Sequence, residues 1–203
     1  CGRSGRPLRR RCRVEWVKNA VTASGDGDDC CGGGDGGNDD DEGTEEADYV
    51  VITLPVGVLQ AGKVVFDPEL PQWKWQAIRA LGMGSEAKVV LRFRTEDVVW
   101  PTSEPFLQSL DPRFRFLNGV YYGKPGTLVA HVSPPFSDGY AGMDDPSVVD
   151  EVLSVLERMV GRKVARPFAS KVTRWREDPF AMGSYSYMPA GCSLEHVRAL
   201  GRP

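Results

Sequence analysis

Residues 25–46 read GDGDDCCGGGDGGNDDDEGTEE, a tract with ten acidic side chains, eight glycines, no Lys or Arg and almost nothing that could be buried. Ordering such a stretch costs backbone entropy with no apolar return, so it is expected to remain a disordered insertion. Its carboxylates lack the spacing of an EF-hand loop, and a floppy ligand set binds calcium weakly. The tract separates a short start, residues 1–24, from a remainder, 47–203, that is long enough for one domain of globular composition. It also hides a charge asymmetry: without its ten negative charges the net of -3 becomes +7. Ahead of it stand Arg3, Arg6, Arg9, Arg10, Arg11 and Arg13, which alone would suggest a nucleic-acid arm. Blocks of opposite sign a dozen residues apart largely cancel at physiological salt, and no nucleic-acid signature accompanies them, so residues 1–12 are expected to be a basic, flexible, solvated flank.

Five cysteines, at positions 1, 12, 30, 31 and 192, lack the paired spacing of a zinc site, and only His131 and His196 could join them. No metal centre is expected. A disulfide framework would be out of proportion to a chain this long, which favours a reducing intracellular compartment. No apolar run approaches the roughly 18 to 20 residues of a membrane-spanning helix, and no charged-then-apolar leader opens the chain. The first residue is Cys1 rather than Met, as expected of a piece of a longer protein.

Two β-branched runs flank the acidic tract, 13–22 (RVEWVKNAVT) and 48–54 (DYVVITL), which predicts a hairpin with an overgrown loop. Residues 72–81 (QWKWQAIRAL) carry Trp75, Ile78 and Leu81 at helical spacing behind Pro71. Further strands are predicted at 88–93, 115–121, 127–132 and 171–176. The clearest helix is 146–160, with Val149, Val152, Leu153, Leu156 and Val160 as one apolar stripe, Asp145 as N-cap and Gly161 as stop. A short helix at 193–200 ends the chain. Strands and helices do not alternate regularly, which predicts an α+β fold, a mixed or antiparallel sheet flanked by helices.

Two stretches could carry chemistry. In LGMGSEAKVVLRF, Lys88 opens an otherwise apolar strand just after a glycine turn. By position alone such a lysine is an ordinary surface residue. In TRWREDPFAMGSYSYMP, Trp175, Phe180, Tyr185 and Tyr187 crowd thirteen positions around Pro179 and Gly183. Such aromatics either pack a core or form the flat apolar walls of a small-molecule pocket.

Taken together, TLPVGVL, then GMGSEAKVVLRF, then RW-DPF-GSYSY resemble, in that order, the FAD-dependent amine oxidases: polyamine oxidases, monoamine oxidases and lysine-specific histone demethylases. The resemblance covers about residues 48–200. It implies a flavoenzyme in two parts, a dinucleotide-binding Rossmann domain and a substrate domain whose sheet closes over the isoalloxazine ring. Residues 47–203 would be the substrate domain, and 13–24 a strand on the FAD side. The lysine at the position of Lys88 holds a water against flavin N5 in relatives, which makes Lys88 the catalytic candidate. Tyr185 would form one wall of an aromatic amine cage, with Tyr187 and Phe180 as further substrate-side candidates. Trp175 lies near the flavin in relatives and, with Pro55 of the first motif, is a cofactor-side candidate. The implied reaction takes a hydride from the carbon beside an amine nitrogen to FAD, gives an imine that water hydrolyses, and passes the electrons to oxygen as hydrogen peroxide.

Two departures bear on cofactor binding. No G-x-G-x-x-G turn occurs, since GGGDGG at 32–37 follows no predicted strand and opens no predicted helix. The family's closing segment against the flavin is expected after Arg202, so most of the FAD-binding Rossmann half lies elsewhere. The wording of GMGSEAKVVLRF and FLNGVYYGKPGTLVAHV favours a polyamine oxidase. A histone-demethylase-like oxidase, or an inactive remnant serving as an interaction module, stands as the alternative.

Overall fold

The computed structural model describes residues 12–17 and 42–203. They belong to two compact units that divide between Thr53 and Leu54. In the first, strand β1 (Cys12–Val17) pairs antiparallel with β2 (Glu42–Ala47), setting Arg13 opposite Glu46. The hairpin predicted from the sequence therefore exists with a different second strand. Residues 48–54 form no strand and leave Tyr49 and Val51 exposed, while the last residues of the acidic tract pair instead. Strand propensity reflects how well a side chain fits a half-buried pleated surface, and an opposite-charge cross-strand partner for Arg13 outweighs β-branching that has nothing to pack on. The rest of the tract, and residues 18–22 of the first strand run, lie outside the described residues.

The second unit is built on a five-stranded sheet. Its strands are β4 (Ala87–Arg92), β5 (Phe106–Gln108), β6 (Phe114–Asn118), β7 (Thr127–Val132) and β8 (Ala169–Val172), after a short β3 (Gly82–Met83) that stands outside it. The order across the sheet is β5-β6-β7-β4-β8, every neighbour antiparallel. The alternation is clean in β7, where Leu128, Ala130 and Val132 are buried and Thr127, Val129 and His131 are not. The buried set packs under α3 (Asp145–Val160), whose Val148, Val152 and Leu156 are fully buried. Each such side chain contributes about 1.5–3 kcal/mol by leaving water.

Helix α3 differs from expectation at its start. The cap is Asp144, whose carboxylate accepts a 2.8 Å hydrogen bond from the Ser147 N–H, and Asp145 is the first helical residue. The stop is Gly161, left-handed at φ 70°. At the far edge of the core, buried Asn118 satisfies three partners: its Oδ1 accepts from Trp100 Nε1 (3.1 Å) and its Nδ2 donates to the carbonyls of Pro101 (2.9 Å) and Glu104 (2.8 Å).

Helices α1 (Val56–Gln60), α2 (Gln72–Ala80) and α4 (Leu194–Gly201) complete the unit, with strand β9 (Ser186–Tyr187) pairing on β3. Gln60 ties α1 to α2 by donating to the carbonyls of Ile78 (2.9 Å) and Leu81 (2.7 Å). The class is α+β, and the sheet is antiparallel rather than mixed. Among the described residues no helix is long and apolar enough to cross a membrane.

Candidate functional site

The face of the sheet turned away from α3 carries the site. Along β4, Ala87, Val89 and Leu91 go to the core, which leaves Lys88, Val90 and Arg92 on the open side. Thr173, just past β8, takes both main-chain polar groups of Lys88. Its hydroxyl accepts from the Lys88 N–H (2.8 Å), and its own N–H donates to the Lys88 carbonyl (2.9 Å). The main chain at Lys88 thus faces β8, so its pairing with His131 across β7 is the non-hydrogen-bonded kind, in which side chains stand closest. Arg115 is the next residue in the row, opposite His131 on β6.

Tyr185 reaches the same spot from 97 positions further along the chain. Its hydroxyl accepts a 3.1 Å hydrogen bond from Lys88 Nζ, which lies 5.7 Å from the centre of the ring. The loop carrying it is sewn onto residues 82–86. The Gly84 N–H donates to the Tyr185 carbonyl (2.7 Å), the Ser184 N–H to the Gly84 carbonyl (2.9 Å) and the Glu86 N–H to Ser184 Oγ (2.9 Å). Gly183 makes this approach possible: at φ 147°, a Cβ there would stand 2.3 Å from Met83 Cγ. The start of α1 presses on the same loop, since a Cβ on Gly57 would lie 2.5 Å from the Met182 carbonyl oxygen.

The other sequence candidates are placed around this pair to different degrees. Tyr187 lies across Gly82, where a Cβ would come within 2.4 Å of the ring. Pro55, half-buried, precedes the first turn of α1. Trp175 accepts from the Gly183 N–H through its carbonyl (2.8 Å) and lines a cleft of about 280 Å³ with Ser85, Glu86, Tyr140 and Thr173. Arg174 braces that cleft by donating to the carbonyls of Tyr140 (2.9 Å) and Met143 (2.5 Å) and to Asp145 Oδ1 (2.7 Å), and the Asp145 carboxylate holds its pKa above the ordinary value. Burial pushes the Tyr140 phenol well above its usual range. Phe180 stands exposed on a turn closed by its own N–H to Asp178 Oδ1 (2.8 Å), and no described hydrogen bond or ring contact joins it to Lys88 or Tyr185.

The sequence marks neither Glu86 nor Thr173, and it marks His131 only as a histidine weighed for a metal centre. The register of β4 against β7, two strands 40 positions apart, brings His131 beside Lys88. The turn residues GVYYGKPG between two alternating runs signal the neighbouring hairpin, which sets Arg115 opposite His131.

The model of the flavin-containing amine oxidoreductases matches residues 2–203. The chain belongs to that family. Relatives of this chain include a lysine-specific histone demethylase 1 homolog 3 of Arabidopsis thaliana, 36% identical over 77% of this chain and 10% of that one. A probable polyamine oxidase 4 from the same plant is 35% identical over 77% of this chain and 32% of its own length. Among solved structures, cyclohexylamine oxidase from Brevibacterium oxydans IH-35A superposes with a TM-score of 0.64 at 23% identity, covering 77% of this chain and 35% of that one, a likeness of fold. The chain therefore spans from a tenth to about a third of the length of these relatives.

Members of the family use FAD to oxidise amines with oxygen. The described donor set suits the ring of such a cofactor: one ammonium, Lys88 Nζ, held by a phenol on an accessible sheet face, with the half-exposed ring of Trp175 close by in sequence to the Tyr185 loop. For a pyrophosphate, no glycine-rich turn of the G-x-G-x-x-G type occurs among the described residues, and GGGDGG at 32–37 lies outside them.

Proposed function

We propose that this chain forms the amine-facing wall of an FAD-dependent oxidase of polyamine-type amines. The observation that carries the reading is the 3.1 Å contact between Lys88 Nζ and Tyr185 Oη, which joins two of the three family motifs on the accessible face of the sheet. Bound FAD would accept the hydride and deliver the electrons to oxygen. The tasks left to this chain are to hold a neutral amine, to orient its C–H bond and to keep bulk water away, and aromatic walls suit them better than a carboxylate at the reacting end.

Tyr185 is the wall nearest the reacting carbon, and Tyr187 and Phe180 extend the apolar surface for the rest of the substrate. Lys88, fixed by Thr173 through its backbone and by Tyr185 through its ammonium, holds one water by hydrogen bonding on the cofactor side. Trp175 and Pro55 flank the cofactor. The polyamine preference rests on the wording of the β4 and β6–β7 motifs and on the polyamine oxidases among the relatives. The demethylases among them support the second reading, a methyl-lysine substrate.

The test is amine-dependent hydrogen peroxide formation by the protein that carries this sequence, with spermine, spermidine and a dimethyl-lysine peptide offered in parallel. Turnover of the polyamines is expected, together with slower reoxidation by oxygen in Lys88→Met at nearly unchanged amine affinity. Turnover of the peptide alone favours the demethylase reading. No turnover of any of the three leaves the chain an interaction module.

A further inference from the structure

The open face carries a second functional group beside Lys88. Glu86 Oε1 lies 3.4 Å from His131 Nδ1, and both side chains are about a quarter exposed, at 27% and 28%. Neither residue belongs to the core, and no other hydrogen bond to the imidazole is formed among the described residues. With Nδ1–H donating to the carboxylate, the tautomer is fixed and Nε2 keeps its lone pair. His131 sits in a row with a cation on either side, Lys88 on β4 and Arg115 on β6, whose guanidinium donates to Ser133 Oγ at 3.2 Å.

An aliphatic amine reaches any oxidase at neutral pH mainly as an ammonium, because its pKa resembles that of a lysine side chain, about 10.4. Its nitrogen lone pair must be free before the neighbouring carbon can give up a hydride, so one proton has to leave first. Lys88 is a poor acceptor, since its ammonium donates to Tyr185. We infer that the Glu86–His131 pair is the proton acceptor for the incoming ammonium, an inference that rests on the amine oxidase reading above. The N–H bond of the substrate breaks, its proton goes to His131 Nε2, and the lone pair stays on the substrate nitrogen. The imidazolium formed is stabilised by Glu86 and returns the proton to water before the next turnover. Glu86 acts through His131 and is the positioning residue of the two.

The first arm of the test needs no cofactor. In the 203-residue chain labelled with 15N-histidine, the two imidazoles are told apart with His196→Gln. His131 should show the Nδ1–H tautomer, and Glu86→Gln should abolish that preference and lower the pH at which His131 titrates. An Nε2–H tautomer, or a His131 indifferent to Glu86→Gln, overturns the pairing and the proposal with it. The second arm is amine oxidation by the protein that carries this chain. His131→Asn should lower kcat/KM at least tenfold at pH 7, with the loss shrinking towards pH 10, where a sizeable fraction of the amine arrives neutral. Glu86→Gln should shift the acid limb of the profile in the direction in which it shifts the His131 titration. A loss equal at both pH values overturns the proton role alone. Absence of amine oxidation in the unsubstituted protein overturns the proposed function instead, and a normal Glu86–His131 tautomer in the first arm tells that failure apart from a missing pair.

Discussion

The two faces of the five-stranded sheet are made from the same strands and behave as different materials. On one, Val89, Leu91, Phe116, Leu128 and Ala130 are sealed under α3 and fully buried. On the other, residues one position along, Lys88, Val90, Val129 and His131, stay partly accessible and carry titratable groups in a row. One face supplies the stability that holds the other in place, so substitutions should divide into those that unfold and those that disarm.

The largest effect is expected at the sealed face. Phe116→Ala should cost about 3–5 kcal/mol in urea unfolding, transfer and cavity together, against less than about 1 kcal/mol for Val90→Ala two strands over on the open face. Similar losses at the two positions would mean that the open face is covered in solution. Next comes Asn118→Ala, which strands the buried Trp100 indole and takes the donor from the Pro101 and Glu104 carbonyls, and should cost about 3 kcal/mol. A silent Asn118→Ala would show that water reaches that corner.

On the open face the expected losses are functional. In an amine-oxidising protein that carries this chain, Tyr185→Ala should lower kcat/KM by more than about tenfold, roughly 1.4 kcal/mol, with flavin still bound. Tyr185→Phe should be milder, because the ring remains and only the hydroxyl that accepts from Lys88 is lost. Unchanged turnover by Tyr185→Ala would place the amine elsewhere.

The smallest effect concerns pH. Asp111, at the edge of the sealed face, takes Arg113 Nη2 at 2.9 Å and Arg158 Nη2 at 2.8 Å, and the Arg113 hydrogen bond above all holds its carboxyl far below the usual range. A depressed folded-state pKa contributes stability that is complete above the unfolded value, about 3.9, and fades as pH falls below it. Asp111→Asn should therefore be less stable than the parent chain at pH 7, by about 1 kcal/mol or less for pairs this accessible, with the two curves converging in acid. A gap that stays constant down to pH 2 would trace the effect to packing.

How far the sequence anticipated these two faces follows from what each depends on. The sealed face was legible because its signals are local: the β7 strand fell where alternation put it, 127–132, and α3 ended at its glycine. Capping by Asp144 rather than Asp145 is a one-residue choice between two equivalent carboxylates, settled by which of them meets the Ser147 N–H. The 48–54 run misled because β-branching was read without a surface to pack on. On the open face, Lys88 and Tyr185 came from motif wording, and their contact depends on glycines at 84 and 183 that let two loops touch. Glu86 and His131 were invisible because a pairing register is a property of two strands at once.

The grip of Thr173 on position 88 is made entirely through the main chain of that residue. Whatever side chain other than proline's ring a codon change puts there, the strand keeps its partner and the sealed face keeps its packing. The reactive position is in this sense a socket with an exchangeable fitting, cheap for a lineage to retool and equally cheap to blunt. A descendant that lost its chemistry at this position would keep the shape of a working one, so that resemblance of fold and presence of activity are inherited separately along this chain.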